Sequence, residues 1–175
     1  MKEHHAGRGG QEGNGDAEAV VSSCEIPDPE RRPQRTLLRF DPSTFSWDGV
    51  GRLAYKPAVE AALTWEGVTR QTLIGAAGEP VAFHLRYFEL EPGGFSSLER
   101  HHHAHTIVVI RGRGRVRVDE ELLEVRPFDT VYVPPDVPHQ FLNPDRGEAF
   151  GFLCPVDAER DAPRPVEAAT PPDRD

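Results

Sequence analysis

Between Thr36 and Cys154 the chain alternates short apolar runs with glycine and proline, and this punctuation leaves little room for helices. Thr36–Phe40, Val68–Ile74, Val81–Glu91, Thr106–Arg111, Gly114–Val118, Leu122–Val125, Thr130–Val133, His139–Leu142 and Ala149–Cys154 read as strands. Gly75, Gly78, Pro80, Pro92-Gly93-Gly94, Gly112, Pro134-Pro135, Pro144 and Gly147 separate them. Many short strands at this spacing predict an all-β fold, a sandwich or an antiparallel jelly-roll barrel. Only Pro57 to Trp65 has a pattern compatible with a helix, and no internal repeat is present, so one barrel per chain is expected.

A chain of 175 residues accommodates one domain with tails. Met1 to Arg35 is rich in Gly, Glu and His and has no periodic apolar residues, which predicts a disordered tail. The proline- and charge-rich end, 162–175, has the same character, so the domain is expected over 36–161. The formal net charge of -9 argues against a nucleic-acid partner. Neither a signal peptide nor an apolar run of membrane-spanning length is present, so no membrane partner is expected. The two cysteines, Cys24 and Cys154, lie in segments of unlike character, which indicates no disulfide framework and fits a reducing cytoplasm.

The densest polar cluster is Glu99-Arg100-His101-His102-His103-Ala104-His105. On a strand, Glu99, His101 and His103 share a face, and a bend brings His105 to the same centre. Such an array chelates Mn, Fe, Ni, Cu or Zn, because imidazole and carboxylate suit these ions. A solvated His-rich loop is the plain alternative. A second signal, Pro134-Pro135-Asp136-Val137-Pro138-His139-Gln140-Phe141-Leu142-Asn143, resembles the second motif of the cupin superfamily.

The spacing of both cupin motifs is present. Gly93, five residues, Glu99, one, His101, three, His105, six, Gly112 follows the first, and Phe128, five, Pro134, one, Asp136, two, His139, three, Asn143 follows the second. Glu99 stands where the family has its first His, His105 where it has Glu, and Phe128 and Asp136 replace two glycines. The resemblance implies a single-domain cupin barrel with one divalent metal ion. Strict register makes Glu99, His101, His105 and His139 the ligands, and a one-step slip uses His101 and His103 instead, so His103 is the alternative ligand.

Phe83–Glu89, Ser97–His101, Arg111–Arg115, Pro127–Asp129 and Gly151–Cys154 are also similar to a group of small bacterial cupins, the methylthioxylulose phosphate sulfurylase-like proteins. That resemblance implies manganese, a small-molecule substrate and a place in methionine salvage. The implied activity is transfer of the methylthio group of methylthioxylulose 5-phosphate, with glutathione as co-substrate, leaving deoxyxylulose 5-phosphate. Strand parity puts Phe150, Phe152 and Cys154 on one face, and the resemblance makes Cys154 a catalytic thiol; its other reading is a small buried hydrophobe. A phosphorylated sugar needs a cation, for which Arg70, Arg86, Lys56 and Arg100 are candidates and Arg86 the foremost, being on a long strand on the face of His84. Tyr132 and Gln140, beside the second motif, are further candidate substrate contacts. Two other functions fit the same ligands: an Fe- or Cu-dependent dioxygenase, and a small-molecule-binding cupin without catalysis. The residues leave the assembly open between one barrel and a homodimer.

Overall fold

Buried and exposed positions alternate along most of the apolar runs, as strands with one face on a core require. The computed structural model describes residues 36–56 and 64–166, and the strands are β1 (Phe40–Asp41), β2 (Ser46–Trp47), β3 (Leu53–Ala54), β4 (Glu66–Ile74), β5 (Phe83–Phe95), β6 (Glu99–Arg100) and β7 (His105–Arg111). They continue with β8 (Gly114–Val118), β9 (Glu121–Val125), β10 (Thr130–Val133), β11 (His139–Leu142), β12 (Phe150–Asp157) and β13 (Arg164–Pro165). Among the described residues there is no helix, and none therefore that crosses a membrane. The helix expected over Pro57 to Trp65 lies mostly outside the described residues, as does the tail Met1 to Arg35.

Eleven strands form one antiparallel sheet in the order β10-β7-β12-β5-β11-β6-β13, with β4 and then β3 branching from β5 and β8 and then β9 from β11. On a flat sheet β7 and β11 would lie three strands apart, roughly 14 Å. The rings of His105 on β7 and His139 on β11 nevertheless have centroids 5.0 Å apart. The sheet therefore curls on itself, and the fold is the expected antiparallel barrel.

The barrel is filled by the inward parity of each strand. Ile107 and Val109, Val131 and Val133, Phe150, Phe152, Cys154 and Val156 are all buried and belong to one cluster with Phe88, Leu90 and Phe141. Phe152 packs against Phe88 at 5.6 Å and Phe141 at 4.5 Å between centroids, which ties the two halves of the curl. Truncating such a phenylalanine to alanine costs about 3–5 kcal/mol.

The strand expected from Thr36 begins only at Phe40, because β1 and β2 form a separate hairpin on the outer face of the sheet. Phe45 and Trp47 pack there on Tyr87 of β5, at 5.5 and 5.1 Å. Gly151 lies under the same Tyr87, where a Cβ would come within 2.1 Å of the hydroxyl, so no larger residue fits that turn of the ladder.

The glycine and asparagine positions of the two motifs tie β5 to the end of β11 and the start of β12. Asn143 is buried and its amide donates to the carbonyls of Leu90, Glu91 and Glu148 at 2.9–3.0 Å. The Gly93 N–H donates to the Asn143 carbonyl at 3.0 Å. Phe128 and Asp136, which replace glycines, both keep left-handed backbone, with φ of 75° and 62°. The loop geometry thus outlasts the residue that makes it easy.

Within the expected C-terminal tail, Arg164–Pro165 pairs with β6, and the Val166 N–H donates to the Leu98 carbonyl at 3.2 Å.

Candidate metal centre and thiol site

Three imidazoles reach one point inside the barrel from three places in the chain. His101 follows β6, while His105 and His139 are the first residues of β7 and β11, with inward parity. Their ligand nitrogens lie within 4.8 Å of one another, and His101 Nε2 and His105 Nε2 are 2.7 Å apart. His101 Nδ1 donates to the His103 carbonyl at 2.8 Å and His139 Nδ1 to the Val137 carbonyl at 2.9 Å. These bonds set the tautomers and leave the Nε2 lone pairs facing inward.

Burial is the first reason that all three rings favour the neutral form, and the neighbouring imidazoles reinforce it at His101 and His105. The His101 ring is held down to about 4. Neutral imidazoles with converging lone pairs repel one another unless a proton or a metal cation sits among them, and the His101–His105 pair at 2.7 Å is short enough for a shared proton when no ion is bound. The donor set therefore fits a divalent ion of the Mn to Zn series.

Glu99 faces His139 directly across the β6–β11 ladder and lines the same cavity. Its Oε2 accepts hydrogen bonds from Lys56 and Ser97. His103 stacks on His101, with centroids 3.6 Å apart and planes 3° apart, and its Nδ1 lies 2.9 Å from Asp161 Oδ1. His101, His103 and Asp161 form a second, less buried cluster of ligand atoms.

Cys154 has the expected inward parity. Its Sγ lies 3.1 Å from His105 Nδ1 and 3.5 Å from Arg86 Nη2, which places the thiol between the imidazole cluster and a buried guanidinium. Burial pushes the thiol pKa up, and the Arg86 charge opposes that shift. Arg86 also lies over the Phe88 ring, 5.0 Å from its centroid.

The structure brings Glu99, His101, His103, His105, His139, Arg86 and Cys154 to one cavity of about 200 Å³. It does not bring Tyr132 or Gln140 there. Tyr132 is 62% exposed, because Val131 and Val133 take the inward parity of β10. Gln140 alternates with His139 and donates to the Ser96 carbonyl at 2.8 Å on the other face. Lys56 and Arg70 line the cavity, whereas Arg100 is exposed on β6. Arg160 and Asp161 also line it. Sequence reasoning missed both, since they follow β12 in a stretch with no periodic pattern.

The family model of the cupin domain matches residues 86–154, which span the cavity strands from Arg86 to Cys154. The 1-methylthio-D-xylulose 5-phosphate methylsulfurylase of Rhodospirillum rubrum is 46% identical over 127 residues, covering 72% of this chain and 78% of that protein. Among solved structures, a cupin 2 conserved barrel domain protein from Rhodopseudomonas palustris is 39% identical with a TM-score of 0.65, over 76% of this chain and 88% of that one. A cupin-2 domain protein from Rhodospirillum rubrum is 42% identical with a TM-score of 0.63, over 79% and 86%. With these likenesses and the barrel they share, the chain belongs to the cupin superfamily, and within it is similar to the methylthioxylulose phosphate sulfurylase-like bacterial proteins.

Proposed function

We propose that this cupin is a metal-dependent enzyme that transfers the methylthio group of 1-methylthio-D-xylulose 5-phosphate to a thiol, with glutathione as the final acceptor. The observation that carries the reading is the position of Cys154, with Sγ 3.1 Å from the outer nitrogen of a cavity imidazole and 3.5 Å from a guanidinium. The 46% identity to a methylsulfurylase supports the substrate class.

His101, His105 and His139 would hold the ion, with Glu99 as the carboxylate beside them. A bound divalent ion, manganese in this reading, supplies Lewis-acid polarisation of the ketose oxygens. His105 Nδ1 and Arg86 stabilise the Cys154 thiolate against the burial that disfavours it. The thiolate attacks the methylthio sulfur, an S–S bond forms and the C1–S bond breaks. The electron pair of that bond passes to the ketose as an enolate, which takes a proton at C1 to become the 1-deoxyketose. Glutathione then attacks the methylthio sulfur of the mixed disulfide, which regenerates Cys154 and leaves S-methylthioglutathione. The two thiols are oxidised in turn as the sugar carbon is reduced, so no oxidant is needed. A reducing cytoplasm supplies the glutathione.

The test incubates manganese-loaded protein with the substrate and glutathione, and follows deoxyxylulose 5-phosphate and the mixed disulfide by mass spectrometry while an electrode records oxygen. Equal amounts of both products without oxygen uptake support the transfer. Oxygen consumption would move the assignment to a dioxygenase, and ligand binding without turnover to a binding protein.

A further inference from the structure

Three arginines line the same cavity, arriving from different parts of the chain. Arg70 on β4 pairs with Phe88, and Arg86 on β5 pairs with Thr72, so the two are diagonal neighbours on the inward face of one ladder. Arg160 follows β12, lines the same cavity and is near enough to feel the charges of Arg86 and Arg70. It is anchored through Nη1, which donates to the carbonyls of Asp157 at 3.0 Å and Ala158 at 3.1 Å and lies 3.4 Å from His84 Nδ1.

The arrangement lacks what three clustered cations ordinarily have. Among the described residues, none of the three forms an ion pair with a carboxylate. Arg70 Nε and Arg86 Nε are buried with no hydrogen-bond partner, and the Arg86 side chain as a whole is more than nine-tenths buried. The carboxylates that line the cavity are engaged elsewhere. Glu99 bonds to Lys56 and Ser97, and Asp161 to His103 and to the backbone of His102. Burial and mutual repulsion disfavour the charge on Arg70 and Arg160. A buried guanidinium nitrogen without a partner is costly, as at Arg70 Nε and Arg86 Nε, whereas Arg160 is exposed at the rim; free guanidinium donors are what a tetrahedral dianion satisfies several at a time.

We infer that Arg70, Arg86 and Arg160 form a subsite for a phosphate monoester, on the far side of Cys154 from the imidazole cluster. The subsite deepens the reading above, and its assignment to the phosphate of a ketose substrate rests on that reading. Cys154, flanked by Arg86 on one side and His105 on the other, then lies between the bound phosphate and the imidazoles. The subsite selects phosphorylated over free sugars, and Arg160 couples it to the segment that follows β12.

The test titrates the full-length protein with inorganic phosphate at constant ionic strength, with chloride as the control, reading calorimetry and melting temperature before and after treatment with a chelator. Saturable phosphate binding that survives chelation is expected, weakened at least tenfold in Arg70→Gln and in Arg86→Gln and severalfold in Arg160→Gln. The phosphate-free Tm of Arg70→Gln should be unchanged or higher, because a repelling charge is gone; a merely structural arginine would lower it. In a second arm, ribulose 5-phosphate should bind at least tenfold more tightly than ribulose. Phosphate acting no differently from chloride, binding that disappears on chelation, equal binding of the two sugars, or variants that titrate like the wild type would overturn the subsite. These titrations need neither Cys154 nor turnover. Phosphate binding without methylthio transfer would refute the transfer alone, and transfer without an arginine effect would refute the subsite alone.

Discussion

His105 touches both chemistries of the cavity, with Nδ1 3.1 Å from Cys154 Sγ and Nε2 2.7 Å from His101 Nε2. One ring thus joins the candidate nucleophile to the candidate metal centre, and a change on either nitrogen is felt by the other.

Removing an imidazole that reaches the common centre should remove the ion. His101→Ala and His139→Ala are each expected to lose most of the bound metal by elemental analysis of purified protein. Full stoichiometry in both variants would refute the centre. Glu99→Gln should weaken the ion by about tenfold, the lower end of the effect of disturbing a ligand or its partner.

The two registers of the first motif separate in a pair of variants. His105→Ala is expected to lose the metal and His103→Ala to keep it, because His103 Nδ1 is taken by Asp161 while His105 Nε2 meets the other imidazoles. The opposite pattern would assign the centre to the cluster of His101, His103 and Asp161.

Cys154→Ser should abolish methylthio transfer and leave metal content and Tm close to wild type. The hydroxyl nearly fills the space of the thiol, yet its much higher pKa denies it the nucleophilic role. Unchanged turnover would confine Cys154 to packing.

The segment after β12 should be needed as far as β13. Asp161 accepts from the backbone N–H of His102 at 2.9 Å and lies against the His103 ring, so it holds the loop from which His101 projects. A chain of residues 36–166 is expected to fold and bind metal. Ending it at Glu159, or changing Asp161 to Ala, should lower metal affinity about tenfold in competition with a chelating dye. Wild-type affinity in the shortened chain would show that this segment does not support the loop.

Phe128 is 85% exposed with φ of 75°, so its aromatic ring contributes little packing at a backbone conformation that opposes a side chain. Left-handed backbone costs roughly 1–2 kcal/mol for a residue with a Cβ, and the extra unfolded-state freedom of glycine takes back about 0.5–1 kcal/mol. Phe128→Gly should therefore stabilise by about 0.5–1 kcal/mol in urea denaturation. A loss of stability would mean that the ring has a partner on that surface.

Much of the site was legible from local pattern alone. Period-two alternation put Phe150, Phe152 and Cys154 on one face, and motif spacing picked out His101, His105 and His139 although Glu and His had exchanged places and two glycines were gone. The same alternation rule explains why Tyr132 and Gln140 point away, since each lies one residue from an inward neighbour. Local pattern works here because the pleat is a property of consecutive residues. Three relationships came only from the tertiary structure: Lys56 and Ser97 on Glu99, Asp161 on the His103 ring, and the meeting of Arg70, Arg86 and Arg160 in one cavity. Each depends on which strands become neighbours when the sheet curls and on where the segment after β12 returns. Contacts between residues so far apart in sequence leave no periodic trace in the chain, whereas the strand parity that aims each side chain is written in its immediate neighbours.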